Sequence, residues 1–163
     1  MKLKMTKSAS ITFGVFVYLM STGYSLASAV EDKVYTGAGC HAFLGAQGGD
    51  FNHYSRSLRN VAKSSRWTLC PIAREKVASS SKGVVAFVRV KRSAAASASF
   101  RCHLMNYTVT GALTRWGASA AYSGSGAVPL NMNISSTNAY GHYAIQCRVP
   151  SGSDLFSYRV VEL

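Results

Sequence analysis

The chain has 163 residues and a formal net charge of +12, with 48% hydrophobic and 15% charged residues. That length suits one domain and leaves too little for a second. A basic balance of this size points away from cationic partners and towards nucleic acid, lipopolysaccharide, acidic polysaccharide or anionic lipid head groups.

Lys2, Lys4 and Lys7 open the chain, and no acid precedes Glu31. The apolar run from Ile11 to Met20 is far short of the roughly 20 residues that cross a bilayer. Ala27-Ser28-Ala29 is a small-x-small cleavage signature. Residues 1–29 therefore read as a signal peptide, with Val30 as the first mature residue. Three cations leave with it, taking +12 to +9. The mature domain, residues 30–163, is expected to be secreted or periplasmic.

Residues 54–63 carry the one helical pattern, with Leu58, Val61 and Ala62 on one face. Arg66–Ile72 reads as a strand, and Trp67, beside Cys70, is expected in the core. Period two is plain in Val84, Ala86, Val88 and Val90, set against Val85, Phe87, Arg89 and Lys91. The Ala/Ser run at 93–99 reads as a flexible hairpin tip. Phe100, Cys102 and Leu104 then alternate with Arg101, His103 and Met105. Further strands are expected over 112–118 and 127–134, and Pro129 confines the latter to a sheet edge. Tyr143, Ile145, Cys147 and Val149 alternate with His142, Ala144, Gln146 and Arg148, and a last strand covers 156–162. Gly/Ser-rich stretches separate these runs, among them 119–126. The fold expected is all-β: an antiparallel β-sandwich, Ig-like or jelly-roll-like, with two disulfides.

Cys40, Cys70, Cys102 and Cys147 all follow the leader, and an even number in an exported protein reads as two bridges. Cys102 and Cys147 both sit on an apolar strand phase, so they face the core. The pairing expected is Cys102–Cys147 with Cys40–Cys70. The former either joins neighbours in one sheet or crosses between sheets.

No catalytic set emerges. Ser119 in Gly117-Ala118-Ser119-Ala120-Ala121 echoes a nucleophile elbow, but no carboxylate lies between it and His142. It reads as turn material. His41, His53, His103 and His142 give no metal site, since His142 falls about 14 Å from His103 if Cys102 and Cys147 are cross-strand neighbours. No cofactor motif is present. The feature left is the polar strand phase, where Arg89, Lys91, Arg101, His103, Arg148 and Arg159 point outward, accompanied by Tyr107 and Tyr140. On one shared sheet these would form a basic face with interleaved aromatics, able to bind anionic polysaccharide or another polyanion.

Arg66-Trp67-Thr68-Leu69-Cys70-Pro71-Ile72-Ala73-Arg74, together with Ser157-Tyr158-Arg159-Val160-Val161-Glu162, resembles a pattern in small secreted Gram-negative bacterial proteins. These carry an early Cys, a W/V-x-x-C-P-I/L-x-R segment, a later Cys pair and a terminal S-Y-R-V-x-E. The resemblance implies export and a β-sandwich, and it transfers no activity or catalytic residue.

The function expected is a non-enzymatic secreted or envelope module with a binding or structural role. The alternative is a small hydrolase of polysaccharide or peptidoglycan that uses carboxylates such as Asp50 or Glu75. Intact mass of the exported protein should match a chain starting at Val30 and lacking the four hydrogens of two disulfides. Retention of residues 11–20, or thiols that alkylate without reduction, would refute the export reading.

Overall fold

A computed structural model describes residues 31–74 and 83–163; the signal-peptide expectation and Glu75 lie outside them. In chain order the strands are β1 (Glu31–Thr36), β2 (His41–Ala42), β3 (Phe51–His53), β4 (Leu58–Asn60), β5 (Arg66–Ile72) and β6 (Val84–Arg92). They continue with β7 (Phe100–Tyr107), β8 (Leu113–Tyr122), β9 (Gly126–Ile134), β10 (His142–Val149) and β11 (Asp154–Glu162). Two short 3-10 turns, Gly37–Gly39 and Gly45–Asp50, flank β2.

The strands form two sheets. Sheet I has the order β3-β4-β11-β6-β9, with β1 also paired to β11, and sheet II the order β2-β5-β10-β7-β8. The pairings within both are antiparallel. The core lies between the sheets, as the alternation requires. Val84, Ala86, Val88 and Val90 of β6 face Phe100, Cys102 and Leu104 of β7 and Tyr143, Ile145, Cys147 and Val149 of β10, all buried. The disulfides are Cys40–Cys70 and Cys102–Cys147, the pairing expected from strand phase. Cys102 and Cys147 are direct register partners on β7 and β10, so the second bridge lies within sheet II. In the chain-entropy account each loop so closed stabilises the fold by about 3–4 kcal/mol. β9 sits at the edge of sheet I, where Pro129 costs no ladder hydrogen bond on its open side.

Two expectations need correction, and the helical pattern over 54–63 is not taken up. Those residues hold β4, where Leu58 and Asn60 both point inward. The buried Asn60 amide donates to the carbonyls of Val149 and Ser64 at 2.8 and 2.9 Å, and these tertiary bonds outweigh a weak helical pattern. Residues 93–99 do not tip a hairpin. They carry the chain from β6 in sheet I across to β7 in sheet II. Ser119 belongs to β8, which runs on to Tyr122 because β7 pairs with it as far as Phe100.

β8 lies over β9 closely enough to need glycine at 117, where a Cβ would stand 2.7 Å from the Asn133 carbonyl oxygen. Gly117→Val should therefore destabilise the fold. Leu104→Ala, at a position with no exposed surface, should cost about 2–5 kcal/mol. Urea midpoints of the two variants check both; an unchanged midpoint for either would contradict the packing described.

Candidate glycan-binding face

The outward phase of sheet II is set by its disulfide. With Cys102 and Cys147 turned inward, their strand neighbours Arg101, His103 and Arg148 must turn outward. The same rule reaches β5. Cys70 faces in, so Trp67, three residues away, faces out. Trp67 is thus half-buried on the outer surface, not in the core as expected, and it lies level with Arg148 on β10. The Phe43 amide donates to the Trp67 carbonyl at 2.9 Å, which extends the β2–β5 ladder and sets Phe43, 47% exposed, beside Trp67. On the far edge Trp116 of β8 is 57% exposed.

These rings meet over the sheet. The His103 imidazole stacks on Trp67 with centroids 6.0 Å apart and meets Trp116 edge-on at 5.3 Å. Trp67, His103 and Trp116 therefore form an aromatic band running across the strands of sheet II, with Phe43 at the end of the β2–β5 ladder. A second pair, Tyr107 and His142, stacks at 5.0 Å on the same face. Met105, Ala144 and Gln146 share the outward phase yet are buried, because the larger side chains beside them close over this floor. Such a surface offers flat apolar faces ringed by polar groups, the chemistry that stacks a planar or ring-shaped ligand.

The charge pattern beside the band is one-signed. Arg101 and Arg148 are direct cross-strand partners, flanked in register by Trp67 and Ala121. Like charges placed opposite one another on a sheet repel. Neither belongs to the ion pairs seen among the described residues, which join Arg59 to Asp154, Arg66 to Asp50 and Arg159 to Asp32. Nearby, desolvation and then the charge of Arg101 hold the His103 pKa below its ordinary value. Burial likewise pushes the Tyr107 hydroxyl up.

The expected basic face divides between the sheets. Arg101, Arg148 and Tyr107 are brought together on sheet II. Arg89, Lys91 and Arg159 lie on the outer side of sheet I, because the chain changes sheet between β6 and β7 and again between β10 and β11. Arg159 there is already neutralised, donating to Asp32 at 2.7 and 2.6 Å. Tyr140 stands in the turn before β10, 69% exposed and with a φ of 53°. The aromatic members Phe43, Trp67 and Trp116 went unrecognised in sequence, although the inward phase of Cys70 already carried the signal for Trp67. Of the carboxylates offered for hydrolysis, Asp50 is engaged by Arg66. Among the described residues no three His, Cys, Asp or Glu side chains gather as a metal site.

No protein-family model matches this chain, and no curated protein does. Among solved structures it is similar to a xylan-binding module, CBM15, with a TM-score of 0.56 at 12% identity, over 81% of this chain and 96% of that one. A Podospora anserina GH26-CBM35 β-(1,4)-mannanase aligns less well, with a TM-score of 0.46 at 12% identity over 81% of this chain and 28% of that one. At such identity the first likeness establishes a shared β-sandwich fold.

The depressed His103 pKa has a measurable consequence. Between its folded value and the unfolded value near 6.5, the unfolded chain binds more protons. The stability contribution is therefore full above about pH 6.5 and is lost as pH falls through that window. NMR titration of the His103 ring should give a pKa below 6.5, and Arg101→Gln should move it part of the way back. A ring titrating at or above 6.5 would contradict the stacked, desolvated placement.

Proposed function

We propose that the protein is a non-enzymatic glycan-binding module of the cell envelope or its surroundings, holding an acidic polysaccharide against the outer face of sheet II. The observation that carries this reading is the aromatic band of Trp67, His103 and Trp116 beside an arginine pair without counter-charge. Sugar rings present an apolar C–H face to aromatic planes, and a carboxylate or sulfate on the sugar would relieve the Arg101–Arg148 repulsion. The fold shared with a xylan-binding module supports a carbohydrate ligand. The two disulfides fit an oxidising compartment, as the signal-peptide reading and the resemblance to small exported bacterial proteins also require.

Binding to polygalacturonate, measured calorimetrically against neutral xylan, tests the assignment. Trp67→Ala and Trp116→Ala should each weaken binding about tenfold or more, the equivalent of about 1.4 kcal/mol of lost stacking. Arg101→Gln with Arg148→Gln should abolish the preference for the acidic polymer and flatten its salt dependence. Arg56→Gln with Arg89→Gln removes the same charge from exposed positions off this face and should change little. Equal losses in both double variants would reduce the effect to bulk charge. No binding to either polymer by the wild type at about 0.15 M salt would overturn the reading.

A further inference from the structure

A second feature lies on the other sheet, at the pole where the chain crosses over. Arg59, Asp154 and Lys91 stand in register on the adjacent strands β4, β11 and β6. They line a cleft of about 320 Å³ with Ser93, Ser125 and Gly126, large enough for a small ligand.

Its polar groups are poorly served from within the protein. The Asp154 side chain is only 16% exposed, and its nearest cation, Arg59 Nε, is 4.0 Å away, beyond a hydrogen bond. Desolvation accordingly raises the Asp154 pKa in spite of Arg59 and Lys91. Lys91 is exposed and has no ion pair of its own among those seen. The cleft thus holds one carboxylate that lacks a close donor and two cations that lack a close acceptor.

The walls are held rigid. Arg92 donates to the carbonyls of Ala98, Ala96 and Gly124, tying the 93–99 crossover to the β8–β9 turn. Ser153 Oγ accepts from the Ser93 amide at 3.0 Å, and the Gly152 amide donates to Asn60 at 2.9 Å. A cleft braced in this way loses little entropy on binding. Two cations flanking the single carboxylate disfavour a metal ion.

We propose that this cleft is a second binding site, for a small hydroxylated anion such as an acidic monosaccharide or a sugar phosphate. The anionic group sits between Lys91 and Arg59, and a ligand hydroxyl donates to Asp154. The site is independent of the aromatic face of sheet II.

Heteronuclear NMR titration of the disulfide-intact protein with glucuronate, glucose 6-phosphate, glucose and inorganic phosphate tests it. Glucuronate or glucose 6-phosphate should shift the amides of Ser93, Ser125 and Gly126, with glucose far weaker. Lys91→Gln should weaken that binding about tenfold, the loss of one charge-assisted hydrogen bond. Asp154→Ala, which removes both the charge and the acceptor oxygens of that side chain, distinguishes the proposal from plain anion attraction. Losing its negative charge should tighten inorganic phosphate, while losing its acceptor should weaken the hydroxylated anions. Trp67→Ala should leave all of this unchanged, so the site stands or falls separately from the polysaccharide face. Unchanged melting temperatures would show that the variants fold. If both classes of anion tighten in Asp154→Ala, only an adventitious ion binds and the proposal fails. No shift with either acidic sugar at tens of millimolar overturns it outright.

Discussion

The bond between Cys102 and Cys147 governs more of this molecule than its own free energy suggests. It joins direct register partners at the centre of sheet II, so neither β7 nor β10 can slip against the other. A slip of one residue would turn every side chain on the strand to the opposite face. With the sulfurs pinned inward, Leu104 and Ile145 stay in the core, while Arg101, His103 and Arg148 stay on the surface. The core and the aromatic, basic surface of sheet II are two consequences of one constraint.

The second bridge does the same for the outer strands. Cys40 and Cys70 anchor β5 and the segment leading into β2, which places Trp67 and Phe43 on the surface where His103 already lies. The sheets are further tied by Tyr158 of β11, whose hydroxyl donates to the Pro71 carbonyl at 2.7 Å and whose ring stacks on Tyr35 at 4.8 Å. Burial pushes that hydroxyl's pKa up to about 12, so the link stays protonated and donating across the physiological range.

Acids are scarce in this chain, and their placement shapes the surface. Asp32 and Asp50 are held close by Arg159 and Arg66, and Asp154 stands between Arg59 and Lys91. Arg101 and Arg148 have no such companion among the ion pairs of the described residues. Positive charge is therefore uncompensated at Arg101 and Arg148 beside the aromatic band and partly compensated in the polar cleft.

Strand phase, cysteine pairing and the edge position of β9 were legible in the sequence because each follows from local periodicity or from the missing N–H of Pro129. Strand β4 was not, since Leu58 and Asn60 owe their direction to partners nearly ninety residues away, the Val149 carbonyl among them. The short β2 and β3 were equally hidden, having too few residues to show a period. The candidate site divides the same way. That Arg101 and Arg148 point outward is a property of their own strands. That they face one another, and that Arg89, Lys91 and Arg159 lie on a different sheet, was decided only when the chain crossed between sheets at 93–99 and 150–153. Periodicity tells which side of a strand a residue occupies, but it carries no information about which sheet the strand joins. That choice is made by long-range burial, and it determines which charges and rings meet.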